Sequence, residues 1–197
     1  MEDDLSTELP KMYLARHGET AWSVTGQHTG LTDLPLNAQG ERNARRLSDR
    51  LAGLSFAGVF TSPLQRARRT SELAGFGNRA KVDADMVEWN YGDYEGLTTA
   101  DVHKERPDWN LFRDGCPHGE SAADVGARAD RVIARLRAIK GDTLVFGHRH
   151  FLCVLAVRWI GLPAASGDRL VLSEASVSAL GYNHTLAEPV IRLWNEI

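Results

Sequence analysis

The chain has little cysteine: Cys116 and Cys153 are its only two in 197 residues. They lie far apart and form no CxxC pair, which excludes that redox and metal-binding pattern and points to a reducing compartment. Nor is there an excess of positive charge. The net charge is −3, so no global basic field draws the molecule to nucleic acid or to an anionic membrane. Long hydrophobic runs are missing too. The longest, residues 151–157, is too short to span a bilayer and is closed by Arg158. Residues 1–10 are acidic, without the basic start and apolar stretch of a signal peptide. They read as a disordered leader on a cytoplasmic protein. No internal repeat or low-complexity linker occurs. What is present, 43% hydrophobic and 25% charged residues, is the composition of one soluble domain over residues 11–197 with a sizeable core.

Short apolar runs alternate with helical patterns, which predicts an α/β fold. Strands are expected at residues 12–15, 57–61, 81–87 and 143–146, the third near an edge and the last central because it is apolar throughout. Residues 176–182 and 190–194 are expected to pair as closing strands. Residues 20–36 read as a polar loop. Asn37 reads as the N-cap of a helix with Ala44, Leu47 and Leu51 on its inner face. Ser62 and Pro63 read as the cap and first residue of the next helix, with Leu64, Ala67, Ser71 and Ala74 facing inward. A helix is expected over 98–105. Ser121 and Asp124 form a capping-box-like pair before the stripe Val125, Ala129, Val132, Leu136 and Ile139. Gly147 and His148 turn the chain into a helix that reaches Ile160. Residues 90–119 have the weakest periodicity and are expected to act as a lid.

Four segments repeat one design, in which a strand ends in a tight turn and a polar residue. Arg16 and His17 follow the first strand, Arg66 the second, Glu88 the third and His148 the central one. In a parallel sheet these ends converge on one edge, where α/β sheets bind ligands. A histidine flanked by a cation suits phosphoryl chemistry, and an arginine in the first turn of a helix offers a planar fork to phosphate oxygens. Arg68 and Arg69 read as a solvated basic face. Trp89, Tyr91 and Tyr94 around Glu88 suggest a desolvated carboxyl, with Asp93 and Glu95 as rivals further from the strand end. His148 and His150 with His17 raise a metal reading, but no compact carboxylate or cysteine cluster completes a coordination sphere. No metal or cofactor is therefore expected.

These segments resemble the histidine phosphatase superfamily, the phosphoglycerate-mutase-like fold. The resemblance is carried by RHGET at 16–20, LTDLPLNAQG at 31–40, SPLQRA at 62–67 and VFGH at 145–148, in the family's order across most of the chain. WSVTGQHTG at 22–30, EWNYGDYEGL at 88–97 and GCPHGES at 115–121 look like the branch of sedoheptulose-bisphosphatase-like sugar phosphatases. The resemblance implies a three-layer αβα sandwich with a mostly parallel sheet. It implies that His17 becomes phosphohistidine, that Arg16, Arg66 and His148 hold the phosphoryl oxygens, and that Glu88 protonates the leaving oxygen. Thr29, Gly30 and Tyr91 would contact substrate. The chain departs from its relatives at Ser23, Asn90, His118 and Cys153, where Asn, Asp, Gly and Arg are usual, and at Arg149, where many carry a small residue.

The expected activity is metal-independent hydrolysis of a small phosphorylated metabolite, such as a sugar phosphate. One rival is a cofactor-dependent phosphoglycerate mutase, which usually carries more sequence after the third strand. Others are a non-catalytic phosphate-binding or interaction module and a phosphoprotein phosphatase. A homo-oligomer is compatible with the chain.

Overall fold

A computed structural model describes residues 9–197, so residues 1–8 of the expected leader lie outside the described residues. The first strand, β1 (Met12–Arg16), and the short helix α1 (Ala21–Thr25) are followed by α2 (Ala38–Arg50), β2 (Gly58–Thr61), α3 (Gln65–Leu73) and β3 (Ala80–Val82). Next come α4 (Thr99–Glu105), α5 (Leu111–Asp114), α6 (Ala122–Arg137) and β4 (Thr143–Gly147). The chain closes with α7 (Arg149–Trp159), β5 (Val177–Tyr182) and β6 (Pro189–Glu196). The six strands form one sheet in the order β3-β2-β4-β1-β5-β6. Its first four strands are mutually parallel, while β5 pairs antiparallel with β1, and β6 antiparallel with β5.

Alternation along the central strands divides the core into two layers. Met12, Leu14 and Val145 face α6 and α7, meeting Val125, Ala129, Val132, Leu136, Phe151 and Leu155. Ala15, Leu144 and Phe146 face the opposite way, onto Leu47 and Leu51 at α2 and Ala74 after α3. The result is an αβα sandwich. Both faces of β4 are covered, which is why Leu144, Val145 and Phe146 are apolar without alternation and the whole strand is buried.

Local chemistry explains the element ends. The Asn37 side chain accepts from Gly40 N at 2.7 Å, and Ser121 and Asp124 form the expected capping box. Ile139 lies beyond the end of α6 and is only half-buried. Three expectations need correction. The helix expected from Pro63 starts at Gln65, because Ser62 Oγ accepts from Leu64 N and holds 62–64 as a turn. The third strand stops at Val82. Asp83 then accepts from Asp85 N and turns the chain into a 3-10 helix at Ala84–Met86. The loop at 20–36 contains α1, since Thr20 and Ser23 cap each other's backbone. Within 90–119, Asn110 caps α5, an element too short for periodicity to reveal.

The parallel register places the strand ends together. Arg16 is level with Gly147, and Thr61 with Phe146, so His17, His148 and Ser62 emerge at one edge. The turn after β1 lies directly on α2. A Cβ on Gly40 would sit 2.1 Å from Glu19 O, and one on Gly18 2.4 Å from Gly40 O. Both obstacles are backbone, so neither can swing aside. Gly40→Ala should therefore destabilise the fold by about 1–3 kcal/mol, the usual cost of overpacking. The expected signature is a lower urea midpoint at unchanged m-value; an unchanged midpoint would refute the close approach.

Candidate active site

His17 follows the last residue of β1 and is 5% exposed. Its backbone N–H donates to Gly147 O and its carbonyl accepts from Ala175 N, so the residue is tied to both neighbouring segments. Burial, then the charges of Arg66 and Arg16, push its pKa well below the ordinary histidine value. The ring is therefore neutral near pH 7. Nδ1 lies 2.7 Å from Gly18 O, a pure acceptor, so Nδ1 carries the proton and Nε2 keeps a lone pair. A neutral imidazole with a free lone pair is a nucleophile. Gly18 N donates to Thr70 Oγ1, which in turn donates to Arg66 O.

His148 caps α7 and has no exposed surface. Its ring centroid lies 5.2 Å from that of His17. Arg66 Nε donates to its Nδ1 at 3.2 Å, so Nε2 carries hydrogen and donates to Ser62 Oγ at 2.8 Å. Burial and the charge of Arg66 keep this ring neutral as well. Arg66 is fully buried in the first turn of α3. Its remaining nitrogens donate to the carbonyls of Thr32, Thr29 and Gly30. Arg16 donates to Leu172 O and to Glu174 at 2.8 Å.

Glu88 is buried on the N-terminus of α7. Oε1 accepts from Trp89 N and Phe151 N, and Oε2 from His150 N at 3.1 Å. The sequence suggested an aromatic surround for this carboxyl; the backbone donors are what hold it. Arg128 fixes the approach by donating to the carbonyls of Asp85, Val87 and Glu88 while pairing with Glu120. The two rival carboxylates are otherwise engaged. Asp93 is exposed and pairs with His118. Glu95 accepts from Gly30 N and Thr32 N and so shapes the loop that grips Arg66.

A cleft of about 360 Å³ opens over this edge. Arg16, His17, Glu88, Thr29 and Tyr91 line it, with Arg149 and Glu174. Trp109 and Asn110 come from the 90–119 stretch. Arg66 and His148 lie behind that surface. Gly30 does not line the cleft: a Cβ there would meet Trp89 O at 2.5 Å, so it packs beneath Tyr91. The Tyr91 hydroxyl donates to His150 Nδ1 at 2.5 Å, since burial raises the phenol pKa and lowers that of the imidazole. Ser62, Glu95, Arg128 and Glu174 support the site through contacts distant in sequence, which no local motif announces. Arg68 and Arg69 are exposed, the latter paired with Glu41 and Glu72. Among the described residues no group of three or more His, Cys, Asp or Glu could hold a metal ion, and no helix is long and apolar enough to cross a membrane.

A family model described as "Histidine phosphatase superfamily (branch 1)" matches residues 12–197. An acid phosphatase of Mycobacterium tuberculosis is 39% identical over 178 residues, covering 88% of this chain and 87% of that one. A sedoheptulose 1,7-bisphosphatase of Saccharomyces cerevisiae is 39% identical over 186 residues, covering 78% of this chain and 68% of that one. A solved structure of an open reading frame from Mycobacterium tuberculosis superposes with a TM-score of 0.89 at 37% identity, covering 95% and 97% of the two chains.

The buried neutral histidines predict a pH dependence of stability. Unfolded, His17 and His148 regain the ordinary pKa of about 6.5; folded, their pKa values lie well below it. Below pH 6.5 the unfolded state thus binds more protons, and stability falls as pH drops from there toward the lowered values. Urea midpoints should decrease from pH 7 to pH 5, and His148→Gln should flatten that slope. A slope that His148→Gln leaves intact would exclude this histidine as a source.

Proposed function

Because the chain belongs to the histidine phosphatase superfamily and is a phosphatase, we propose that it hydrolyses a small phosphorylated metabolite, such as a sugar phosphate, through a phosphohistidine on His17 and without a metal. The observation that carries this reading is the His17 ring, buried and neutral, with its proton on Nδ1 against Gly18 O and its Nε2 free. Nε2 attacks phosphorus as the bond to the leaving oxygen breaks. Glu88 gives that oxygen a proton. Of its two oxygens, Oε2 accepts a single N–H and is the one that carries the proton. Glu88 then takes a proton from water as the water attacks phosphohistidine, and His17 leaves as neutral imidazole.

Phosphoryl transfer is mainly positioning and charge stabilisation. Arg16, Arg66 and His148 carry the phosphoryl oxygens in this reading, and the two guanidinium groups supply the positive field that magnesium supplies elsewhere. Thr29 and Tyr91, on the cleft wall, contact the rest of the substrate, and Gly30 keeps the wall close. Residues 90–119 act as a cap, supported by the positions of Tyr91, Trp109 and Asn110. The names of the relatives, acid phosphatase and sedoheptulose 1,7-bisphosphatase, favour hydrolysis of a phosphomonoester.

His17→Ala should abolish phosphate release in EDTA from phosphorylated sugars and glycerates. Acid-labile phosphohistidine should be trapped on the wild type alone. Unchanged release by the variant would exclude His17 as nucleophile. Phosphoryl retention with 2,3-bisphosphoglycerate and phosphoglycerate, without net release, would identify a mutase.

Glu88→Gln should slow hydrolysis of alkyl phosphates by about 10²–10⁴-fold, the range of a lost general acid. It should slow the burst of p-nitrophenol from p-nitrophenyl phosphate, which reports formation of phosphohistidine before water is activated, far less, because that leaving group departs without a proton. Equal losses on both would remove Glu88 from the proton-donor role.

A further inference from the structure

The cleft contains one cation that the mechanism does not use. Arg149 is the first residue of α7, directly after His148, and lines the cleft. It is exposed, whereas His17 at the cleft floor is buried. The other arginine on that surface, Arg16, is engaged by Leu172 O and Glu174. Of the two carboxylates lining the cleft, Glu174 is paired with Arg16 and Glu88 is held by three backbone N–H groups. Among the described residues Arg149 has no hydrogen-bond or ion-pair partner, although its charge is felt at Arg16, His150 and Cys153. The mouth of the cleft therefore carries an uncompensated guanidinium close to a second one.

Such a group is poorly explained as packing or as part of a fold-stabilising pair. Guanidinium forks match carboxylate and phosphate oxygens. The remaining wall adds neutral hydrogen-bonding groups from Gln27, Thr99 and Asn110, which suit hydroxyls. The cleft's 360 Å³ is in the range of small-molecule sites and leaves room beyond a single phosphoryl group.

The geometry points to Arg149 as a second anion subsite, so that the preferred substrate is a hydroxylated phosphomonoester bearing a further carboxylate or phosphate group. This rests on the reading of the cleft as a phosphomonoester site. The reacting phosphoryl group sits at His17, and the distal anion meets Arg149 at the mouth.

The test is binding in the His17→Ala background, where turnover plays no part, with matched ligands that differ in the second anion. Fructose 1,6-bisphosphate is compared with fructose 6-phosphate, and 3-phosphoglycerate with glycerol 3-phosphate. The doubly anionic member of at least one pair should bind about tenfold or more tightly, in line with charged hydrogen bonds. Adding Arg149→Ala should erase that ratio, and Arg149→Lys should restore part of it. The pair that shows the effect identifies the distal group as phosphate or carboxylate. Equal affinities within both pairs would overturn the subsite. So would a ratio that Arg149→Ala leaves unchanged, or an equal loss for both members of a pair, which would place Arg149 on the reacting phosphate. Phosphate release by the otherwise wild-type chain is measured separately, so failure of the phosphatase reading shows there and not in the binding ratio.

Discussion

The site depends on a guanidinium that is buried without an ion pair among the described residues. Arg66 has no exposed surface, and taking a charge out of water costs several kcal/mol unless its donors are met. Four of its five N–H groups meet an acceptor: the carbonyls of Thr29, Gly30 and Thr32 and the Nδ1 of His148. That single side chain thereby joins α3, the 29–32 loop and the start of α7. Its charge helps to keep both His17 and His148 uncharged, and its bond to Nδ1 selects the tautomer of His148. Glu95 completes the clamp by fixing the loop that supplies the carbonyls.

A second constraint works in the opposite sense. Glu88, also buried, is held by backbone N–H groups at the start of α7 and by the Arg128–Glu120 pair behind it. One helix thus presents His148 at its cap and a carboxylate on its first-turn donors. Rigid backbone positions both, and the flanking layers exclude water from beneath them. Preorganisation of this kind reduces the reorganisation needed when charge shifts at phosphorus.

Much of this was legible in local chemistry. The apolar run at 143–146 could only be a strand covered on both faces. Asn37 and the Ser121/Asp124 pair marked helix starts, because their side chains answer unpaired N–H groups within three residues. The strand-turn-polar design at Arg16, Arg66, Glu88 and His148 marked the edge at which the site forms. Local reading went wrong where a residue's partner is remote. Ser62 looks like a cap but serves His148, 86 residues away, and the helix begins later. Residues 83–87 look like more strand, yet Asp83 turns them. Gly30 packs under Tyr91, a placement that its neighbours in sequence do not announce.

The sequence alone determined the α/β class, the starts of α2 and α6 and the residue types gathered at the sheet edge, because hydrophobic periodicity and capping act over a few residues. Only the tertiary structure decided which nitrogen of His17 and of His148 carries the proton, what holds Arg66 and Glu88, and that Arg149 stands in the cleft without a partner among the described residues. Those properties depend on burial and on partners distant along the chain, such as Gly147, Leu172 and Glu174 around Arg16 and His17. Spacing in sequence carries no record of such distances; the parallel register of β1, β2 and β4 creates them.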